Sequence, residues 1–364
     1  MATSPNYAWA EPDNSSLVKN GAQDIRALGD AIDTSLWNVG YGQAGKNKII
    51  NGDFDIWQRG TTFTDPAGSS YFADRFRTSY DGTAPTTRTY SQQTFTSGTA
   101  PVAGYEGRFF SRTAITTKGS NTNSGVAQLI ENVRTFAGQT VTLSFWAKCD
   151  TARTGLIKIA QVFGTGGSPS ATVTVANTAV SYTSSWARYT LTVAIPSISG
   201  KTLGTNNDSY LSCDLLHTSA DGSTFDVWGV QMEYGSKATP FQTATGTLQG
   251  ELAACQRYYY RTGVGSANNT TYGVGMASST TAAQIYLQYP VTMRVLPSSI
   301  DYADLAVSDL VNYTIVLSTL ALSDRNNIGG KFVATVASGL SQYRPTFLIN
   351  NTNVTGYLGF SAEL

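Results

Sequence analysis

Residues 141–163 read VTLSFWAKCDTARTGLIKIAQVF, a stretch in which apolar side chains occupy every second position from 141 to 149 and again positions 157, 159 and 163. Successive side chains of a β-strand point to opposite faces, so a period of two places one apolar face against a core. The runs at 141–148 and 156–163 both keep this period. We therefore predict two strands here, each with one buried face.

Segments of the same kind lie on both sides of this stretch and are separated by turns rich in Gly, Ser, Thr and Asn. Such a density of strands, with no long helix between them, is typical of an antiparallel sandwich. We therefore predict a mainly β protein in which residues 46–245 form an antiparallel β-sandwich. Its other strand candidates are KIINGDF (48–54), RFFSRTAI (108–115), ATVTVA (171–176), RYTLTVAI (188–195), SYLSCDLL (209–216) and FDVWGVQME (225–233).

The pattern changes after the sandwich. Residues 246–262 predict a helical joint, with Leu248, Leu252 and Cys255 on one face. Alternation then returns, so residues 263–364 predict a smaller C-terminal β-domain. Its strand candidates are TYGVGMAS (271–278), AAQIYLQYP (282–290), YTIVLSTLAL (313–322), GKFVATVA (330–337) and PTFLINNT (345–352).

Residues 1–45 combine a polar arm with a short N-terminal helix that is predicted to begin near residues 14–16. The apolar side chains of Val18, Ile25, Leu28 and Ile32 follow a heptad seam for a little over two heptads. A helix of this length is not stable alone in water. It therefore either lies on a neighbouring domain or bundles with copies of itself around a symmetry axis.

Hydroxyls and amides, rather than charges, dominate the polar surface. Charged residues make up 13% of the 364 residues, against about 25% in ordinary soluble domains. The 24 basic residues balance the 24 acidic ones and form no run, so no nucleic-acid partner is expected. No apolar stretch of about 18 residues occurs, so no membrane insertion is expected.

Two further features bear on where the chain is made. The amino-terminal MATSPNYAWAEPDN lacks the basic and apolar regions of a secretory signal. The three cysteines, Cys149, Cys213 and Cys255, are odd in number and lack CxxC spacing. They predict buried thiols in a reducing cytoplasm rather than disulfides or a zinc site.

Several motifs in a fixed order resemble those of bacteriophage tail-fibre and receptor-binding proteins. KIINGDFDIW (48–57) resembles the opening strand of jelly-roll carbohydrate-binding modules, and FDVWGVQMEYGSKATPF (225–241) resembles their late strand. CQRYYYR (255–261) is similar to the joint that follows this module in phage fibres, and VTMRVLPSS (291–299) and the final FSAEL also match. The resemblance covers most of the chain, including the N-terminal segment.

The resemblance implies a non-enzymatic virion subunit, made in the host cytoplasm and located in the tail. Residues 1–45 would attach to phage tail or baseplate proteins, the sandwich would be a jelly roll, and residues 263–364 would form the distal tip. The assembly would be a homo-oligomer, a trimer in this family, that docks on host surface glycan. The alternatives are a purely structural virion protein (collar, adaptor or decoration) and a polysaccharide depolymerase.

Catalysis has little support in the sequence. The single histidine, His217, lies in DLLHTSADG, where we predict a turn, and no GxSxG nucleophile motif occurs. The acidic residues are few and scattered, so no carboxylate pair of a glycosidase can be read from their spacing.

Binding residues are predicted from side-chain type. Tryptophans such as Trp146 and Trp228 sit in apolar strands and are expected in the core. Tyrosines in polar surroundings are better platforms for a sugar ring, and the candidates are Tyr71, Tyr80, Tyr90, Tyr105 and Tyr272.

No cofactor is expected, with one exception. Related jelly rolls share a structural calcium between their opening and last strands, which implies Asp53, Asp55 and Asp226 as oxygen ligands.

The cluster at 255–261 either packs between the two β-domains or contacts other subunits. Its predicted oligomer contacts, beside the helical seam, are Arg257, Tyr258, Tyr259, Tyr260 and Arg261.

Overall fold

A computed structural model gives the structure of the chain. It describes residues 2–4, 9–11, 17, 20–41, 45–102, 105–263, 270–311, 314–351 and 355–364. Strands hold 48% of the residues and helices 7%, so the predicted mainly β fold is confirmed.

The sandwich consists of two antiparallel sheets. Two short strands, β1 Ala2–Thr3 and β2 Ala10–Glu11, precede it in the chain. The strands of the sandwich are β3 Thr62–Thr64, β4 Phe76–Asp81, β5 Thr87–Thr94, β6 Phe109–Thr117, β7 Asn123–Glu131, β8 Thr140–Cys149, β9 Arg153–Val162, β10 Val173–Tyr182, β11 Ala187–Ala194, β12 Tyr210–Thr218 and β13 Ser223–Tyr234. One sheet has the order β10-β9-β12-β7-β4, and the other has the order β11-β8-β13-β6-β5-β3.

The stretch at 141–163 forms β8 and β9, which lie in opposite sheets. Leu143 and Phe145 of β8 point inward and share the central core with Ile157 and Ile159 of β9. Trp146 points to the opposite face of its sheet, where it packs in a second, aromatic cluster. The alternation of apolar side chains along the sequence therefore corresponds, as predicted, to one face of each strand that is buried in the core.

The prediction of a strand at 48–54 is wrong, because these residues form a turn. Asn51 and Phe54 have φ angles of 59° and 57°, a left-handed conformation that a strand does not contain. The Asn51 side chain accepts a hydrogen bond from the Ile56 amide and donates to the Ile56 carbonyl, which holds the turn. The segment nevertheless meets the late strand β13, since the Val230 amide donates to the Gly52 carbonyl at 2.9 Å.

The joint contains a shorter helix than predicted. The helix of the joint spans Leu248–Gln256, and the Thr247 hydroxyl caps it by accepting from the Gly250 amide at 3.1 Å. Glu251 is buried and accepts hydrogen bonds from the amides of Asn51 and Thr245, so the helix is fastened to the sandwich. A strand follows it directly at Tyr259–Thr262.

The C-terminal β-domain is a six-stranded barrel with a three-stranded sheet beside it. Its strands are β14 Tyr259–Thr262, β15 Thr271–Ala277, β16 Ala282–Gln288, β17 Ser299–Ala303, β18 Leu305–Ser308, β19 Ile315–Arg325, β20 Gly329–Val336, β21 Pro345–Asn350 and β22 Tyr357–Ser361. The barrel closes in the order β15-β16-β20-β19-β18-β21, and the small sheet has the order β14-β22-β17. Both contribute to one core, in which Ile285, Phe332 and Phe360 are buried.

The amino-terminal region contains a minimal strand pair and one long helix. Strand β1 (Ala2–Thr3) pairs with β2 (Ala10–Glu11), and helix α1 spans Gly21–Tyr41, so the joint helix is α2. Helix α1 begins later than predicted. Within it Ile25 is 67% exposed, whereas Leu28 and Ile32 are half-buried. Val18, the first residue of the predicted seam, lies outside the described residues.

No helix of the described residues is both long enough and apolar enough to cross a membrane.

Candidate functional site: a groove on the C-terminal barrel

A groove of about 560 Å³ lies on the outer wall of the barrel, with an exposed aromatic ring in it. Tyr286 of β16 stands opposite Val274 of β15 and Lys331 of β20 in the sheet register. Its neighbour Ile285 is fully buried in the barrel core, so strand alternation turns Tyr286 outward, where 55% of it is exposed. The groove is lined by Val274, Tyr286, Leu287, Gln288, Asp324, Asn326, Ile328, Gly329, Gly330 and Lys331.

The turn between β19 and β20 shapes one side of the groove. The Asn326 side-chain oxygen accepts hydrogen bonds from the amides of Ile328 and Gly329, at 2.9 and 3.0 Å. The Tyr289 amide donates to the Ile328 carbonyl and fixes the turn from outside. Residue 329 in this turn is a glycine, and a Cβ at this position would lie too close to the Leu287 carbonyl oxygen, at 2.6 Å. The turn is therefore held firmly and presents Ile328, which is 54% exposed.

The charges in the groove neutralise each other. Lys331 forms a hydrogen-bonded ion pair with Asp324. This contact lowers the pKa of Asp324 and raises the pKa of Lys331. The interaction of Lys331 with Tyr286 raises the pKa of the lysine by a smaller amount. The two groups therefore carry opposite charges at neutral pH.

This arrangement can bind a polar molecule that has an apolar face. The open ring of Tyr286, flanked by Val274 and Ile328, offers a flat apolar surface. Within the described residues the Asn326 side chain engages only its oxygen in the turn, so its Nδ2 donors are open to a ligand. An aromatic platform with a few polar groups beside it is the usual composition of a small-molecule site.

The predicted tyrosines lie elsewhere, and two of them are enclosed. Tyr90 is fully buried in the sandwich core and packs on Phe72 at 4.9 Å between ring centroids. Tyr272 is 8% exposed, and its hydroxyl donates to the Gly356 carbonyl at 2.9 Å. Neither ring leaves a face open to a sugar, because polar neighbours in the sequence do not prevent a strand residue from pointing inward.

The other three tyrosines are half-buried and have different partners. Tyr105 packs against Trp228 and Phe241, at 5.3 and 5.2 Å between ring centroids. The Tyr71 hydroxyl donates to the Leu364 carbonyl, and Tyr80 lies beneath the Arg88 guanidinium. None of these rings lines the barrel groove. Their role in binding stays a prediction.

Tyr286 was not among the predicted platforms, because tyrosines in turns or polar surroundings were expected to be the exposed ones. The signal was nonetheless present in the alternation of QIYLQ, residues 284–288, where the tyrosine shares a strand face with two glutamines. A large aromatic side chain on the polar face of a strand is the pattern of an exposed platform.

A second, acidic pocket of about 320 Å³ lies at the opening turn, beside Asp53, Asp55 and Tyr105. The Oδ1 atoms of both aspartates are buried and have no hydrogen-bond partner within the described residues. Burial, with smaller contributions from the charges of Asp55 and Glu251, raises the pKa of Asp53 to about 7. Arg108 also lines the pocket and donates two hydrogen bonds to Asp55 Oδ2, at 3.0 and 2.9 Å. The two Oδ1 atoms that lack a partner are ligands of the kind that a hard cation such as calcium prefers.

The third predicted calcium ligand is not part of this pocket. Asp226 lies on β13 and accepts two hydrogen bonds from Arg112, at 2.7 and 2.8 Å, with Lys148 nearby. Within the described residues no three acidic, histidine or cysteine side chains group together for a metal ion. The predicted set of three is therefore corrected to Asp53 and Asp55, and backbone carbonyls or water would have to complete any coordination.

The tyrosine cluster of the joint is engaged within the chain. The Arg75 guanidinium lies 3.4 Å from the ring centroid of Tyr258, and the Arg59 guanidinium lies 3.5 Å from that of Tyr259. Both rings are at least 96% buried, so they are not available to another subunit, contrary to the predicted oligomer contacts.

The remaining side chains of the cluster also have partners in the chain. Arg257 pairs with Glu131 at 3.2 Å, and Arg261 lies 3.3 Å from the ring centroid of Tyr357. Tyr260 is half-buried and stacks near Phe360. The cluster therefore packs between the two β-domains, which was the alternative that the sequence left open.

His217 belongs to strand β12 and is fully buried, so the prediction of a turn residue is wrong. Its ring stacks on Phe225, and its Nδ1 lies 2.7 Å from the Ser124 carbonyl oxygen. Burial lowers the pKa of His217 to about 4, so the imidazole is neutral at physiological pH. Its ring is enclosed on all sides and is not open to a substrate.

Comparison with protein-family models and with curated proteins gives no match. Among solved structures, the N-terminal cellulose-binding domain of Cellulomonas fimi β-1,4-glucanase C is 19% identical, with 35% of this chain and 80% of that chain covered and a TM-score of 0.28. A xylan-binding family 22 module from Paenibacillus barcinonensis is 13% identical, with 54% and 99% covered and a TM-score of 0.29.

A third similar structure is the enzymatically active domain of tailspike protein 4 of bacteriophage CBA120. It is 16% identical, with 52% of this chain and 22% of that chain covered and a TM-score of 0.32. The structural neighbours are thus carbohydrate-binding modules and a phage tailspike domain.

Proposed function

We propose that this chain is a non-enzymatic subunit of a phage tail that docks on host surface glycan through the barrel groove. The exposed ring of Tyr286, beside Asn326 and the Lys331–Asp324 pair, carries the proposal. A sugar ring has one CH-rich face and a rim of hydroxyls, which match an aromatic platform with polar groups at its edge. The hydroxyl- and amide-rich composition supports the same role, since such a surface remains hydrated and carries little charge.

Multiple copies would supply the affinity that one open groove lacks. Residues 1–45 would attach to tail or baseplate proteins, and α1 would bring copies together as a homo-oligomer, expected to be a trimer. Linked sites raise the overall affinity without any new contact, because each further binding event becomes intramolecular. Reversible docking of a virion requires weak single sites of this kind.

A structural cation at Asp53 and Asp55 belongs to the same proposal. Their two unpartnered oxygens lie where the opening turn meets β13, so a bound calcium would fasten the beginning of the sandwich to its last strand. Its role would be stability of the sandwich, at a distance from the groove.

The test is binding of the full chain to a glycan array that includes host lipopolysaccharide, with a pair of matched variants. Tyr286→Ala should weaken binding by about tenfold or more, because an aromatic ring that the bound ligand covers carries a large share of the binding energy. Tyr343→Ala should bind as the wild type does, since Tyr343 is 72% exposed and does not line the groove.

The outcomes separate the rival functions. Absence of binding to every glycan, together with assembly into virions, would favour a structural collar, adaptor or decoration protein. Cleavage of a bound polysaccharide, visible as halos on host lawns, would favour a depolymerase. Equal losses in the Tyr286 and Tyr343 variants would refute the groove as the site.

A further inference from the structure

The chemistry of the groove narrows the class of sugar that it can accept, an inference that rests on the proposed function. Apart from the Tyr286 hydroxyl, Asp324 and Lys331 are the ionisable side chains among the lining residues. They pair with each other, so the groove presents no net charge. An acidic sugar would have to compete with Asp324 for the ammonium group of Lys331.

The rest of the lining penalises a charged ligand. Val274, Tyr286 and Ile328 are each more than half exposed and give the groove an apolar wall. A carboxylate or phosphate group placed against such a wall loses water without gaining a partner, which is costly. A methyl group placed there is instead withdrawn from water, and each buried carbon of this kind strengthens binding about fourfold.

Neutral hydrogen-bonding groups remain for orientation. Asn326 has its Nδ2 donors, and Gln288 lies on the same strand face as Tyr286, two residues further along β16. The Lys331–Asp324 pair keeps further donors and lone pairs that neutral hydroxyls can use, since an ammonium has three donors and a carboxylate about four acceptor sites.

We propose that the groove selects an uncharged saccharide that carries a methyl group, that is, a 6-deoxyhexose or an N-acetylhexosamine. The methyl group packs against Val274 and Ile328, the ring lies on Tyr286, and the hydroxyls meet Asn326 and the ion pair. Uronic acids and phosphorylated sugars are excluded, because the ammonium group of Lys331 is already paired with Asp324 and does not balance a second negative charge.

The experiment uses pairs of polymer-linked sugars that differ by one group, titrated against the full chain. L-rhamnose should bind at least about fourfold more tightly than L-mannose, and L-fucose more tightly than L-galactose, because each pair differs only by the 6-hydroxyl. The affinity should stay unchanged between about 50 and 500 mM salt, since no ion pair with the ligand is screened.

Two variants test the role of the ion pair. Asp324→Asn frees the ammonium group of Lys331, and the variant should gain salt-sensitive binding to a polymer-linked galacturonic acid. Lys331→Met in the same Asp324→Asn background should remove that gain. The side chain of Asp324 is 79% exposed and that of Lys331 is 23% exposed, and a melting curve like that of the wild type establishes that each variant is folded.

The results distinguish this inference from the function on which it rests. If the wild type binds uronic acids in a manner that depends on Tyr286, the function stands and the proposed ligand class is overturned. Equal affinity for L-rhamnose and L-mannose would overturn the methyl preference in the same way. If no saccharide of either kind binds, the proposed function itself is refuted.

Discussion

Asp53 is a single residue whose protonation is tied to folding. Asp53 is 94% buried, next to Asp55 and near Glu251 and Tyr105, and burial raises the pKa of its carboxyl from 3.8 to about 7. Between about pH 4 and pH 7 the folded chain therefore keeps a proton that the unfolded chain has lost. Stability falls with rising pH wherever the folded state binds more protons, so this residue makes the protein less stable as the pH rises through that window.

We predict that Asp53→Asn removes this dependence. After treatment with a chelator, the wild type should lose on the order of 3 kcal/mol of stability between pH 4 and pH 8 that the variant retains. Calcium added at pH 8 should raise the melting temperature of the wild type and leave the variant unchanged. Calorimetry of both proteins, with Asp221→Asn as an exposed control, measures the effect. Parallel melting curves across the pH range would show that Asp53 is not the titrating group.

Individual residues also explain where sequence reasoning succeeded and failed. Phe145 and Trp146 were placed correctly on strand β8, because period-two alternation depends on the local chain alone. Tyr90 was misjudged, since its polar neighbours suggested exposure while its ring fills the core. The conformation of Asn51 could not be read from KIINGDF, because its side chain bonds to residues as distant as Asp74.

At the scale of elements, strand β7 was not predicted, because some of its buried side chains are polar. Strand β7 contains Gln128, which is 1% exposed because its amide group bonds to both the amide and the carbonyl of Ile50. That partner is 78 residues away in the sequence, so the alternation of β7 looks irregular until the turn at 48–54 is in place. The groove was missed for a related reason, as its walls come from separate strands and a turn.

Helix α1 is the element with an incomplete set of contacts. Ile25 is 67% exposed, and among the described residues α1 contacts the short strand β2. A helix of 21 residues in water draws its stability mainly from packing of an apolar face. Copies of the chain would provide such a surface along the seam of Ile25, Leu28 and Ile32.

We predict that charges on this seam dissociate the assembly. The double substitution Ile25→Asp and Ile32→Asp should convert the wild-type oligomer to a monomer in light scattering after size exclusion, because buried like charges repel. Gln23→Asp places a charge on the opposite side of the heptad and should leave the mass unchanged. An unchanged mass in the double variant would mean that α1 lies on its own chain instead.

At the scale of the molecule, buried charges and rings join the two β-domains. Arg75 is 1% exposed, stacks on Tyr258 and pairs with Glu363 near the end of the chain. Glu363 also pairs with Arg59 at 3.2 Å. Removing one partner of a buried ion pair costs about 3–5 kcal/mol, so these contacts resist separation of the domains. The barrel, and with it the groove, is therefore firmly attached to the sandwich.

The proposed function requires a β-protein that presents a recognition surface and leaves its ligand unchanged. The most direct measurement is saturation-transfer NMR on the full chain with a bound oligosaccharide, followed by recovery of the sugar. We predict the strongest transfer to the methyl and CH-rich face of the sugar, its loss in Tyr286→Ala, and recovery of the oligosaccharide intact. Cleaved product, or the same transfer in the Tyr286 variant, would contradict the account.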